Sequence, residues 1–270
     1  MCYEVFQKKI HDILPLAVSL ELLHNFTLIH DDIQDGHAMR RGRPSLWVLW
    51  GKSHAINAGD GIHTLAHLVL FDLWQNGFDK NKVLRVIKTV LSAELNLSEG
   101  QCLDLDSTEK NYPPIEDYIH IAELKTASLI ECSLYTAAIL GSEDEDIVQP
   151  IKMFGRHIGI AFQIFDDFLD IAHDVKPKQT SEQVMVTALN NEITERKNGD
   201  SFCPKGNPSL KQSPSNCRGD VVKGKEQELY VHLAETHTRI GLQYLAQSKL
   251  KRILYKRFEE LSLSLLKRNP

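Results

Sequence analysis

Apolar residues recur at three- and four-residue spacing along most of this chain, and no useful stretch alternates apolar with polar. Leu16, Leu20 and Leu23 form one such stripe, and Phe154, Ile158, Ala161, Phe165, Phe168 and Ala172 form another. The pattern predicts an all-α fold. Pro113-Pro114 precedes a helix through Tyr118 and Ile130, and Gly141 to Pro150 reads as a connection between helices. Helical pattern resumes at Glu226 and continues through Leu233, Ile240, Leu245, Leu250, Phe258, Leu261 and Leu265. The stretch Lys197 to Lys225 breaks it: eleven of its 29 residues are Gly, Pro or Ser, six are Lys or Arg, and few are large and apolar. Such a segment has little to bury and is expected to be a flexible insertion or linker. The expectation is one domain over 1–270, carrying this insertion at 197–225.

A chain of 270 residues buries one sizeable core or at most two small ones. Its formal charge of −5 argues against nucleic acid as a bulk partner. The five cysteines, at 2, 102, 132, 203 and 217, form neither a CxxC pair nor a regular framework, so a reducing, cytoplasmic setting is expected. No cleavable leader pattern opens the chain. The most apolar window, Ile13 to Ile29, contains Pro15, Glu21, His24 and Asn25, which predicts a buried helix and no transmembrane segment.

Two quintets bring in the chemistry: Asp31-Asp32-Ile33-Gln34-Asp35 and, 135 residues later, Asp166-Asp167-Phe168-Leu169-Asp170. Each is embedded in apolar sequence, where an unpaired carboxylate is costly. On a helix the first and fifth positions share a face, so each quintet aims two carboxylates into one space. Carboxylate oxygens suit Mg²⁺, which shares its remaining positions with water and substrate phosphates. Arg40-Arg41-Gly42-Arg43-Pro44 follows the first quintet closely, and guanidinium forks bind phosphate oxygens bidentately. Anionic and cationic clusters side by side point to metal-bridged diphosphate. Gln163, between Phe162 and Ile164, is an amide that needs partners. His63 and His67 have metal-pair spacing but no acidic companion and read as ordinary helix residues, while Asn57 to Gly61 reads as local packing or capping.

Taken in order, DDIQD, RRGRPS, Gly100-Gln101-Cys102-Leu103-Asp104, Lys125-Thr126 and FQIFDDFLD resemble the all-trans polyprenyl diphosphate synthases, in particular those making geranylgeranyl or farnesyl diphosphate. The resemblance implies an isoprenoid-synthase-type antiparallel helical bundle with a central cavity, the two aspartate motifs facing each other at its mouth. It implies Mg²⁺ held by the aspartates at 31, 32, 35, 166, 167 and 170, with Asp31, Asp35 and Asp166 ligating and Asp167 and Asp170 acting through water. Arg40, Lys125, Thr126 and Gln163 are the implied contacts to the allylic diphosphate, His24 and Arg41 to isopentenyl diphosphate, and Gln101 and Asp104 line the mouth. Asp31, Asp35, Asp166, Lys125 and Arg40 are the implied catalytic set. Phe26 and Thr27, five and four residues before Asp31, correspond to the floor that halts chain growth; one aromatic ring beside a small residue suits geranylgeranyl diphosphate, with farnesyl diphosphate the alternative. A homodimer is implied as well.

The chain departs from this pattern in two places. The family's GKxxRP motif is absent from the 30 residues before Asp31, which leaves Arg41 and His24 as the expected extender contacts. After the second quintet, His173-Asp174-Val175-Lys176-Pro177-Lys178 replaces the usual Gly- and Lys-containing loop. Two rival readings follow: a class I terpene cyclase acting on a single prenyl diphosphate, and a non-catalytic subunit of a heteromeric synthase.

Overall fold

The computed structural model describes residues 2–6, 9–107, 115–172, 216–250 and 252–266. Ten α-helices occupy most of them: α1 Leu14–Gln34, α2 Leu46–Trp50, α3 Lys52–Leu70, α4 Asp72–Gln75, α5 Lys80–Ser107, α6 Ile115–Ala122, α7 Ser128–Gly141, α8 Glu145–Ala172, α9 Asn216–Ala246 and α10 Arg252–Leu266. Between α6 and α7 the chain makes a π-helical turn, Glu123–Ala127. Strand is confined, among the described residues, to a two-residue hairpin, β1 Met39–Arg40 against β2 Arg43–Pro44. The all-α expectation holds. The hairpin was not legible as alternation because it is set by its turn: Arg41 and Gly42 both have positive φ, 51° and 74°, as a two-residue hairpin turn with right-handed strand twist requires.

The chain divides into two compact units, one of Met1–Ala93 with Cys132–Lys152, the other of Glu94–Glu131 with Met153–Pro270. In the first, α1 opens with Pro15 in its first turn, where the missing N–H costs nothing, and packs along α3. Its apolar window was expected to be buried. Only Pro15, Leu16, Ser19 and Leu23 are, because a single stripe meets its neighbours, and Val18 remains 45% exposed. With the turn before it, this helix (Ile10–Gln34, mean hydropathy 1.3) is long and apolar enough to cross a membrane by length and composition, and 17% of the window is buried. Arg85 on α5 ties in the Cys132–Lys152 segment, bonding the Tyr135 hydroxyl at 2.8 Å and Glu145 at 2.7 Å.

In the second unit the core gathers Tyr118, Ala127, Ile160, Ala161, Ile164, Tyr230 and Ala234. The stripe expected on α8 is borne out at Phe154, Ile158 and Ala161, all buried. The connection expected over Gly141 to Pro150 is shorter. Asp144 caps α8, its Oδ1 accepting the Asp146 N–H at 3.0 Å, and Pro150 lies inside the helix. Cap and apolar stripe together outweigh the one backbone hydrogen bond a proline forfeits. Helix α9 opens at Asn216, so the last part of the expected linker, 216–225, is helical, while 197–215 lies outside the described residues, as do Lys176 and Lys178.

Candidate functional site

The first quintet ends α1. Asp35 is the C-terminal cap residue, and Gly36 at φ 68° turns the chain toward the hairpin. This return carries Arg40 back over the helix end, where its Nε donates to Asp32 Oδ1 at 2.8 Å and its terminal nitrogen lies 3.2 Å from Asp31 Oδ2. Burial works against the guanidinium's charge, but the hydrogen bonds and charges of Asp32 and Asp31 outweigh it and raise the Arg40 pKa. The turn also places His37, whose carbonyl accepts the Trp47 indole N–H at 2.9 Å and whose Nδ1 stands 3.8 Å from Asp35 Oδ2. Donor atoms of Asp31, Asp35 and His37 all lie within 4.8 Å of one another. Two carboxylates and an imidazole form a donor set that fits a divalent cation. Sequence reasoning missed His37, a lone histidine in a turn.

One to two turns upstream on α1 stand His24, Phe26 and Thr27, all half-buried. Thr27 turns its hydroxyl onto the His24 carbonyl at 2.8 Å, which removes it as a polar group facing outward. Phe26 packs its ring on His30 and on His63 of α3, with centroids 4.7 and 4.6 Å away. His63 in turn bonds His67, Nε2 to Nε2, at 3.3 Å. These two histidines are thus part of an aromatic and imidazole cluster around Phe26. Arg41 is exposed at the hairpin tip.

In the second unit the π-turn is the organising element, and such turns favour functional positions because they rotate side chains out of helical register. Glycines let two helices approach it: a Cβ on Gly100 of α5 would fall 2.5 Å from the Lys125 backbone nitrogen, and one on Gly159 of α8 would fall 2.5 Å from Ala127 Cα. Arg156 braces it by binding Glu131 at 2.7 Å and Glu123 at 3.3 Å. The turn presents Lys125 and Thr126. Lys125 Nζ lies 2.6 Å from Asp104 Oδ2, a carboxylate with no exposed surface, which pairs the buried charge. Thr126 donates its hydroxyl to Gln163 Oε1, and Gln163 Nε2 donates to Asp167 Oδ1 at 2.7 Å. The other oxygen of Asp167 accepts the Tyr118 hydroxyl at 2.5 Å.

Tyr118, Ile121, Ala122, Lys125, Thr126 and Gln163 line a small hollow. Gln163 therefore finds the partners its sequence setting demanded, and Tyr118 is a second residue that sequence reasoning missed. Asp166 is half-buried on α8, and Gln101 is half-buried on α5. The side chain of Asp170 lies outside those described.

A family model described as Polyprenyl synthetase matches residues 1–188. A geranylgeranyl diphosphate synthase of Saccharolobus solfataricus is 29% identical over 240 residues, 86% of this chain and 72% of its own. A short chain isoprenyl diphosphate synthase of Methanocaldococcus jannaschii is 36% identical over 174 residues, 64% of this chain and 52% of its own. The chain thus spans 72% of the first relative's length and about half of the second's. Among solved structures, a geranylgeranyl pyrophosphate synthetase from Pyrococcus horikoshii superposes with a TM-score of 0.80 at 27% identity, covering 99% of this chain and 83% of that one.

Proposed function

The chain belongs to the polyprenyl synthetase family, and on that premise we propose that it is a prenyltransferase joining isopentenyl diphosphate to an allylic diphosphate, with geranylgeranyl diphosphate as product and farnesyl diphosphate the alternative. The observation that carries this reading is the pairing of carboxylates with phosphate-binding groups in each unit. Asp31, Asp35 and His37 stand beside Arg40, and Asp166 and Asp167 stand on the helix that supplies Gln163 to Thr126 and the Lys125 turn.

Asp31, Asp35 and Asp166 would hold divalent cations, Mg²⁺ by preference for oxygen ligands, with His37 adding an imidazole to the first pair. A bound cation supplies Lewis-acid stabilisation of the negative charge that builds on a departing diphosphate. Arg40 in the first unit and Lys125 in the second each offer fixed positive charge to phosphate oxygens, and Thr126 offers a hydroxyl beside Lys125. His24 and Arg41 take the extender diphosphate in this reading. Tyr118, Ile121 and Ala122, buried beside Lys125 and Thr126, would keep water from that side of the site in this reading. Phe26, backed by His63, closes the path of the growing tail.

The whole of 1–270 acts as one polyprenyl-synthase-like domain in this reading. A second copy of the chain would cover α3 and α4 in this reading, where Leu65, Leu68 and Trp74 are 55, 58 and 64% exposed. Cys2, Cys102 and Cys132 are free thiols, and this reading places the chain in the cytoplasm.

Substrate omission tests the reaction class. The chain is incubated with Mg²⁺ and farnesyl diphosphate, with and without isopentenyl diphosphate. Release of diphosphate only when both substrates are present supports condensation, and release from farnesyl diphosphate alone, with a hydrocarbon or alcohol product, supports a cyclase instead.

A further inference from the structure

Between Asp35 and Asp60 the chain runs 24 residues without an Asp or Glu and carries Arg40, Arg41, Arg43 and Lys52, in a molecule whose formal charge is −5. The same stretch holds Leu46-Trp47-Val48-Leu49-Trp50, five apolar residues in a row. Such an uninterrupted run belongs in a core or against a partner.

The fold places it outside the core. The run forms α2, which has no buried residue. The Trp47 indole donates to the His37 carbonyl at 2.9 Å, and this bond sets the roll of so short a helix. Leu46 and Trp47 are half-buried, and the next three side chains face solvent, with Val48, Leu49 and Trp50 46, 59 and 62% exposed. Gly51, at φ 83°, separates α2 from α3, and Lys52 at the start of α3 holds its Nζ 5.6 Å from the Trp47 ring centroid. That cation–π contact keeps an ammonium beside the apolar strip. The hairpin before α2 ends in the exposed tip Arg41-Gly42-Arg43, and Met39 on its first strand is 57% exposed. Asp60, the first carboxylate along α3, lies eight residues beyond Lys52. That is about 12 Å of helix, more than the ~8 Å over which exposed charges act at physiological salt.

Tryptophan and leucine flanked by arginine and lysine suit the headgroup region of an anionic bilayer, where apolar side chains reach the acyl boundary and cations meet lipid phosphate. A second copy of the chain is the poorer occupant, because a two-fold contact centred on α2 would set like charges face to face. We propose that α2 and the hairpin before it form a docking surface for an anionic lipid bilayer, with Val48, Leu49 and Trp50 inserted and Arg43 and Lys52 on the headgroups. The acidic remainder of the chain is repelled by the same bilayer, which fixes the face that approaches. The surface lies within one unit and does not depend on the reaction proposed above.

The test sediments chain 1–270 with vesicles of phosphatidylcholine alone, or of phosphatidylcholine with about one-third phosphatidylserine. Binding to the anionic vesicles is expected to be at least tenfold tighter than to the neutral ones, and to weaken at least tenfold in about 0.5 M salt. R43E with K52E, and separately L49S with W50S, are each expected to weaken it at least tenfold. Brominated lipid is expected to quench the parent's tryptophan fluorescence, and W50F to lose most of that quenching while binding within about twofold of the parent.

A folded chain that ignores anionic vesicles overturns the proposal, as does parental binding in both double variants. Binding in which W50F is quenched as deeply as the parent means that another surface docks, and overturns it too. Double variants that turn a dimer into a monomer in the absence of vesicles assign the face to a second copy, which also overturns it. If L49S with W50S proves unstable in a thermal melt, R43E with K52E carries the test, since both of those residues are exposed.

Discussion

The ring of Phe26 lies against the imidazole of His63, their centroids 4.6 Å apart and their planes tilted by 40°. Phe26 is on α1 little more than a turn before the first aspartate, and His63 approaches it from α3. In a helix the side chain leans back toward the N-terminus, so in the proposed reading Phe26 would close the space behind the carboxylates, with His63 limiting how far it could swing aside. Phe26→Ala is expected to lengthen the products by one or more five-carbon units, and His63→Ala to shift the distribution in the same direction by freeing the ring. Chromatography of the dephosphorylated products checks both. A parental distribution from Phe26→Ala would remove the basis for assigning product length.

Arg40 touches two carboxylates through two nitrogens, a geometry that a lysine ammonium cannot copy although it keeps the charge. Arg40→Lys is expected to lose at least tenfold in kcat/KM for the allylic substrate, equivalent to ~1.4 kcal/mol or more of transition-state stabilisation. Its thermal stability should change little, because Arg40 remains partly exposed. Unchanged kinetics would place Arg40 outside the substrate's reach.

An imidazole beside two carboxylates shifts a site's preference from Mg²⁺ toward Mn²⁺, since nitrogen ligands suit the softer ion. His37→Asn is therefore expected to lower the ratio of Mn²⁺-supported to Mg²⁺-supported turnover severalfold. Pulsed electron paramagnetic resonance of the Mn²⁺-loaded parent should show ¹⁴N coupling that the variant lacks. A nitrogen signal that survives the substitution would assign it to another residue.

His157 and His237 meet Nδ1 to Nδ1 at 3.2 Å in the second unit, and Tyr244 stacks on His157. Burial lowers the His157 pKa from its ordinary 6.5 to about 4, helped by the charge of His237 and of Arg156, and burial lowers that of His237 as well. Both imidazoles are therefore neutral in the folded chain where unfolded histidine already takes up protons. The pair's contribution to stability is complete above pH 6.5 and falls as the pH drops from 6.5 toward 4. His157→Gln, which cannot be protonated, is expected to flatten the dependence of Tm on pH across that window. A slope equal to the parent's would show that the pair does not govern it.

The quintets were legible because carboxylates in apolar sequence are conspicuous and because helical periodicity assigns them faces. Their partners were only partly so. Gln163 announced itself as an amide between apolar neighbours, but Tyr118 lies 49 residues from Asp167, and nothing local marks its hydroxyl as the other half of that clamp. The π-turn at Glu123–Ala127 left no signal in the spacing of apolar residues, since it is held by Gly100, Gly159 and Arg156 from other helices. His63 and His67 were set aside for want of an acidic neighbour; the contact that gives them a role comes from Phe26 across a helix pair. His37 acquires its place from a glycine turn and the Trp47 indole, neither of which forms a recognisable motif with it.

Transfer of label from radioactive isopentenyl diphosphate into a longer allylic chain tests the central claim most directly. The chain 1–270, folded by circular dichroism, is supplied with Mg²⁺, labelled isopentenyl diphosphate and, separately, dimethylallyl, geranyl or farnesyl diphosphate. The account predicts label in geranylgeranyl diphosphate, or in farnesyl diphosphate from the shorter primers, with turnover abolished by chelation of the metal and reduced at least a hundredfold, ~2.7 kcal/mol, in Asp31→Ala and in Asp166→Ala. Failure of the folded chain to incorporate label with any primer, or incorporation that survives loss of either aspartate, would contradict it.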